Sequence, residues 1–195
     1  MSRQRSTPYA ILGLLELLPM SGYDIRKQAA ESIGYFWSES YGQIYPTLRD
    51  LTADGLIRPL PKRGRGGRER RVYEITERGR GVLREWKLRA PGPMPVRNEL
   101  LLKLFFADAS TAGTAAAWID DLAAQEKARL ATIDAIRHRI RDELPGHPST
   151  PYWLATLSYG EHRARAALRW CHETRRTLRH IADESNPGTP PGGKE

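Results

Sequence analysis

Residues 56–75 hold two short strand-like runs, Leu56 to Leu60 and Arg70 to Ile75, joined by a loop, Lys62 to Glu69, that contains three glycines. Short strand-like runs on either side of a glycine-rich loop predict a β-hairpin. The glycines permit the positive φ angles such a turn uses. The segments around this hairpin read as helices, and their order limits the fold.

Three helices are predicted before the hairpin. The first runs from Tyr9 to Leu18, is entered through Ser6-Thr7-Pro8 and is ended by Pro19. The second starts at Ser21 or Gly22 and passes through Tyr23, Ile25 and Ala29 to about Ile33. Tyr35, Phe36 and Trp37 follow in a connection and read as a core plug. The third helix starts between Ser40 and Gln43, where Ser40-Tyr41-Gly42-Gln43 has the S-x-x-Q form of a capping box. Pro46 is tolerated if it lies in the first turn, where amides lack partners. Ile44, Leu48 and Leu51 make one apolar face, and Gln43, Tyr45, Thr47, Arg49 and Asp50 are expected on the opposite one. Gly55 supplies a left-handed stop. After the hairpin, Thr76 is a good N-cap for a fourth helix holding Val82, Leu83, Trp86 and Leu88. Helix, helix, helix, hairpin is the order of a winged helix-turn-helix, a mostly α fold.

Charge is concentrated in the same region. The 195 residues carry 31 Lys and Arg against 23 Asp and Glu, a formal net charge of +8. Residues 1–90 account for +7 of it and residues 91–195 for +1. From Lys62 to Arg71 six cations, Lys62, Arg63, Arg65, Arg68, Arg70 and Arg71, face one anion, Glu69. Such a surface draws a polyanion at long range. In a winged helix the third helix enters the major groove and the wing lies along the backbone or in the minor groove. Gln43 is suited to adenine and Arg49 to guanine or a phosphate. Tyr45 and Thr47 suit phosphates or a thymine methyl, and the wing cations Lys62, Arg63, Arg65, Arg68 and Arg70 suit phosphate or a narrow minor groove. Ser38 and Ser40, with the amides at the helix start, suit a phosphate. The expected partner is double-stranded DNA. The alternative is a winged helix that docks proteins and carries an incidental basic hairpin.

Particular residues carry a family resemblance. Ser21-Gly22-Tyr23-Asp24-Ile25, Gly42-Gln43-Ile44-Tyr45-Pro46-Thr47-Leu48 followed by Leu51 and Gly55-Leu56-Ile57, and Tyr73-Glu74-Ile75-Thr76-Glu77-Arg78-Gly79 together resemble the PadR family of bacterial transcriptional regulators. Glu99-Leu100-Leu101-Leu102-Lys103-Leu104-Phe105-Phe106-Ala107 looks like the start of the helical C-terminal domain of the longer members, those akin to virulence-gene activators. The resemblance implies a dimeric winged-helix regulator, usually a repressor, often relieved by a small phenolic or hydrophobic compound. It also implies that Ser38, Gln43, Tyr45, Pro46, Arg49 and the wing cations face DNA.

The proline cluster Pro91-Gly92-Pro93-Met94-Pro95 interrupts the helical pattern. The expected organisation is a DNA-binding domain over 1–90, a linker over 91–97, a helical dimerisation domain over 98–184 and a disordered polar tail over 185–195. Leu100 to Phe106 is apolar nearly all round and predicts burial on most sides. One long helix is expected from Thr111 or Thr114 to Leu144, with Trp118, Leu122, Leu130, Ile133, Ile136 and Ile140 on a stripe. Another is expected from Thr150 to Asp183. In it Leu157, Gly160, Ala164, Ala167, Cys171, Thr174, Leu178 and Ile181 step by three and four as a seam of small residues. Two long helices make a thin domain, so a second chain is expected to complete it through Leu101, Leu104, Phe105, Leu157, Ala164, Ala167, Cys171, Leu178 and Ile181. A homodimer suits a palindromic operator. The alternative is an intramolecular hairpin of the two helices. Trp118, Trp153 and Trp170 are candidate walls for an aromatic effector, with packing as the alternative.

Other chemistry has little footing. There is no GK[ST] phosphate loop, no G-x-S-x-G and no H-E-x-x-H. The five histidines lack metal-ligand spacing, so neither a metal nor another cofactor is expected. One cysteine excludes a disulfide framework and suits a reducing cytoplasm. The longest apolar stretch, Ala10 to Leu18, is nine residues with Glu16 inside it, far short of the ~20 a membrane span needs.

Overall fold

The computed structural model of the chain describes residues 6–37, 41–61, 71–92 and 98–185. It has two compact units, Met1–Pro93 and Met94–Glu195.

In the first unit α1 (Thr7–Leu17) begins with Pro8 in its first turn and buries Ile11, Leu12, Leu14 and Leu15. The two-residue strand β1 (Met20–Ser21) leads into α2 (Gly22–Ser32). Ser21 caps α2 with a capping box: its Oγ accepts from the Asp24 amide, and the Asp24 carboxylate accepts from the Ser21 amide and hydroxyl. Ser40 of the box expected at Ser40-x-x-Gln43 lies outside the described residues. A 3₁₀ turn over Tyr41–Gln43 feeds α3 (Ile44–Ala53), and Gln43 at its N-cap makes no side-chain capping bond. Pro46 lies in the first turn of α3, where its missing N–H forfeits no bond.

The end of α3 is closed by a Schellman motif. Gly55 takes φ 67°, its amide bonds to Thr52 O and the Leu56 amide bonds to Leu51 O. The chain then enters β2 (Ile57–Pro59) and returns as β3 (Val72–Ile75), antiparallel, with Ile57 opposite Ile75, Arg58 opposite Glu74 and Pro59 opposite Tyr73. The Arg58–Glu74 pair is an ion pair across the ladder at 2.6 Å. β1 adds a third strand the sequence pattern did not announce, pairing Met20 with Tyr73 and Ser21 with Val72, for a sheet order β1-β3-β2.

Thr76 caps α4 (Glu77–Leu88) as expected, accepting from the Gly79 amide, and its hydroxyl also donates to Gly55 O. One core joins these pieces: α1, Met20, Ile25, Ile44, Leu48, Leu51, Ile57, Ile75 and Leu83. Trp86 stacks on Tyr9, which ties α4 to α1. Leu88 is exposed despite its place in the helix. Of the aromatic plug, Tyr35 is buried while Phe36 is half exposed.

The second unit contains α5 (Glu99–Phe105), α6 (Ala112–Glu143) and α7 (Thr150–Ser185). Asn98 caps α5 through the Leu101 amide. α6 and α7 form an antiparallel hairpin: Arg137 pairs with Glu161 near the turn, and Asp120 pairs with Arg175 at 2.6 Å towards the open end. The hydrogen bonds from Arg137 and Arg165 hold the Glu161 carboxyl below its ordinary pKa.

This hairpin already covers part of the α7 seam within the single chain. Leu157, Ala164 and Cys171 are buried within the single chain, and Ala167, Leu178 and Ile181 are partly covered. The periodic seam is real, but within the chain α6 is the helix packed on α7. The opposite holds for α5. Leu101 and Phe105 are exposed, Phe105 at 81%, Leu104 is partly covered, and no α5 residue is buried in the single chain.

Glu126 occupies a seam position of α6 and is only 3% exposed. Arg129 Nε at 3.0 Å and Arg163 Nη2 at 3.8 Å offset its charge. Burial, with the nearby Glu126 carboxylate second, pushes the Cys171 thiol above its usual pKa. A thiol there is both covered and protonated. Cys171 is therefore expected to react with a maleimide far more slowly in the native protein at neutral pH than in denaturant, as read by mass spectrometry. Equal rates would contradict this packing.

Candidate nucleic-acid interface

The candidate site is the outward face of α3 together with the ends of the hairpin. The heptad-like positions Ile44, Leu48 and Leu51 turn inward, so Gln43, Tyr45, Arg49 and Asp50 turn outward. Tyr45 is 60% exposed although part of its ring lies close over the start of α2. A Cβ on Gly22 would come within 2.8 Å of Tyr45 Cε1 and 3.1 Å of Leu48 Cδ1, so the missing side chain lets α2 and α3 cross closely there. That close crossing holds one edge of the Tyr45 ring against α2 and leaves the rest of it outward. Arg49 is exposed and makes no ion pair among the described residues, so its guanidinium is available. Pro46 is half-buried beside it.

Thr47 departs from expectation. It is 8% exposed and its hydroxyl donates to Gln43 O at 2.7 Å. Three residues after Ile44 and four before Leu51, it shares the buried face, and its hydroxyl is satisfied by the preceding turn. It cannot reach a base edge from there.

The Leu60 amide bonds to Val72 O at 2.9 Å, the last rung described, so the sheet brings the two ends of segment 61–71 together. Arg71 is exposed at that end. Ser38, Ser40, Lys62, Arg63, Arg65, Arg68 and Arg70 lie outside the described residues.

The three tryptophans do not converge. Trp118 lines an open cavity of about 370 Å³ with Leu102, Lys103, Phe106, Ala107 and Thr111, and Lys103 Nζ stands 5.5 Å from its ring centre. Trp153 instead stacks on His147 at the α6–α7 turn, and Trp170 is half-buried on α7; neither lines that cavity. Among the described residues no helix is long and apolar enough to cross a membrane.

Comparison with known proteins follows the same division into two units. Residues 11–85 match the transcriptional regulator PadR-like family, and residues 96–179 match the virulence activator alpha C-terminal family. The negative transcriptional regulator PadR of Bacillus subtilis is 35% identical over 130 residues, 66% of this chain and 71% of that protein. The chain belongs to the PadR-like family of transcriptional regulators.

Solved structures agree with this membership. B. subtilis PadR in complex with operator DNA matches with a TM-score of 0.73 at 29% identity, covering 89% of this chain and 99% of that one. The same protein in complex with p-coumaric acid matches with a TM-score of 0.68 over the same shares. The Vibrio cholerae virulence activator AphA matches with a TM-score of 0.71 at 26% identity, covering 91% of this chain and all of the other. As a PadR-family regulator this chain is not an enzyme.

Sequence reasoning missed two features of the site. The role of Gly22 as a crossing point was hidden because a glycine near a helix start also reads as a simple cap. The capping box at Ser21 was legible in Ser21-Gly22-Tyr23-Asp24, with Asp in place of the usual Glu or Gln.

Proposed function

We propose that this chain is a cytoplasmic, sequence-specific operator-binding repressor that works as a homodimer. The observation that carries the reading is the outward face of α3. It presents Gln43, Tyr45 and an Arg49 that makes no ion pair among the described residues, on a helix held by the core and by a sheet whose strands flank the cationic segment. In this reading Gln43 and Arg49 touch base edges, and Tyr45 and Pro46 fix the helix against the backbone. Ser38, Ser40 and the cations Lys62, Arg63, Arg65, Arg68 and Arg70 hold phosphates. Membership of the family supports it, as does the B. subtilis relative seen with operator DNA and named a negative regulator.

The dimer reading rests on α5. Leu101, Phe105 and their neighbours form an apolar surface the single chain leaves open, and a second copy covers it. A two-fold protein pairs with a palindromic operator. An aromatic or hydrophobic effector fits beside Trp118, where Lys103 faces the ring and Leu102 and Phe106 supply apolar wall. The relative's complex with p-coumaric acid supports that class of effector.

The test is a change in sequence preference. Gln43→Ala and Arg49→Ala are each expected to weaken binding to the preferred duplex by about 1–3 kcal/mol while leaving binding to unrelated duplexes nearly unchanged. Competition binding over a set of single-base operator variants reads this directly. An unaltered preference profile in both variants would remove α3 from the reading role.

A further inference from the structure

The C-terminal unit is almost neutral in sum, but its charges are sorted. On α7, residues 162, 165, 169, 172, 176 and 179 advance by three and four, so they fall on one face about 100° wide. They are His162, Arg165, Arg169, His172, Arg176 and Arg179, and all six are exposed. The stripe lies to one side of the seam of Leu157, Ala164 and Cys171 that packs in the hairpin, about 110° round the helix from it. At 1.5 Å per residue it extends about 26 Å. Arg165 pairs with Glu161 at 2.8 Å, whereas Arg169, Arg176 and Arg179 make no ion pair among the described residues. Glu173 flanks the stripe and is exposed.

The geometry points to this face of α7 as a second, sequence-independent phosphate-binding surface, separate from α3 and the hairpin, that takes the backbone of duplex DNA. The occupant follows from the chemistry of the face. Every stripe position is cationic or imidazole, and the large exposed aromatic side chains of α7, Tyr152 and Tyr159, both precede the stripe. A protein partner needs an apolar anchor at the centre of its interface, and this face has none. A lipid surface needs a bulky apolar edge to insert, and that is also missing. A phosphate backbone needs only cations and N–H donors, and guanidinium groups supply both in a planar fork. Four arginines over about 21 Å of helix, with the His172 imidazole among them, are dense enough to meet phosphates that carry one charge per ~3.4 Å of each strand. The choice of DNA as the polyanion rests on the operator-binding reading above, but the surface itself does not depend on α3.

The test uses the full-length protein and two 40-base-pair duplexes, one containing its operator and one unrelated. The variant R169Q/R176Q/R179Q is expected to lose about tenfold or more in affinity for both duplexes. Its plot of log affinity against log salt should flatten by about 2.7 per protomer, 0.9 for each lost phosphate contact. The operator-to-unrelated preference should stay as in the parent, because the contacts carry no sequence information. The charge-retaining R169K/R176K/R179K variant should keep the parent slope. So should a variant lacking the exposed α6 cations Lys127 and Arg141, which controls for net charge. Circular dichroism verifies the fold of each. Coincident salt slopes for parent and glutamine variant on both duplexes would overturn the proposal. So would a loss confined to anionic phosphatidylglycerol vesicles. A parent with no preference for its operator would instead sink the operator-binding reading, while the unrelated duplex would still report on α7.

Discussion

Replacing Gly79 with alanine is expected to destabilise the N-terminal unit by about 3 kcal/mol or more, well above the ordinary effect of a surface change. Gly79 lies in the first turn of α4, where alanine is intrinsically the better helix former by about 1 kcal/mol. Packing reverses that preference. A Cβ at Gly79 would stand 2.1 Å from Leu56 O and 2.9 Å from Ile75 Cγ1. Leu56 O cannot retreat freely, because it accepts from the Thr76 amide at 3.0 Å and from the Thr76 hydroxyl at 3.1 Å. Relief of the clash therefore pulls apart the junction of α3, β2 and α4, which is the base of the hairpin. Gly81, two residues on, is the internal control. Nothing lies within 4 Å of a Cβ built there, so Gly81→Ala should stabilise by about 0.5–1 kcal/mol. Urea unfolding monitored by tryptophan fluorescence separates the two. A Gly79→Ala variant as stable as Gly81→Ala would show that the junction is looser than described.

The second large effect is electrostatic. The double variant R65Q/R68Q is expected to bind every duplex more weakly and to flatten the salt dependence by about 1.8 per protomer, 0.9 for each phosphate released. At physiological salt this amounts to a loss of roughly tenfold to a hundredfold. The loss should be the same for operator and unrelated DNA, which distinguishes it from the selective loss expected of Gln43→Ala. The physical reason is the density of charge: six cations from Lys62 to Arg71 with one anion among them repel one another until a polyanion is present. The Leu60–Val72 rung fixes the residues that flank this segment to the sheet. A double variant with parental affinity and slope would remove these arginines from the interface.

Much of the fold was legible because its signals are local. Gly55 and Thr76 announced their turns through backbone chemistry alone, and both act as expected. The apolar spacing of Ile44, Leu48 and Leu51 oriented α3. Thr47 was misplaced because its hydroxyl reads as a surface group, whereas helical geometry sets it among those three and the preceding carbonyl satisfies it. β1 was invisible because two residues cannot display a strand period. The seam of α7 was read correctly as a close-packing surface, yet periodicity does not name the helix that fills it. Here α6 supplies that packing, and a buried acid in its own seam, Glu126, broke the apolar pattern that could have paired the two. The exposed apolar face of α5 is the reverse case: composition demanded burial, and the single chain does not provide it. The tryptophans show the limit of residue type as a guide, since only Trp118 lines the cavity.

Selection of a DNA sequence is the proposed property on which the roles of Gln43 and Arg49 depend. The most direct measurement is the binding of the purified full-length protein to the intergenic duplex upstream of its own gene, against a scrambled duplex of equal length and composition, across a salt series. A preference for the native duplex that persists at moderate salt is expected, because base contacts by α3 survive when counterion release is weakened. Equal and salt-fragile binding to native and scrambled duplexes, repeated across other candidate operators, would contradict it and leave a winged helix with a basic hairpin whose partner is a protein.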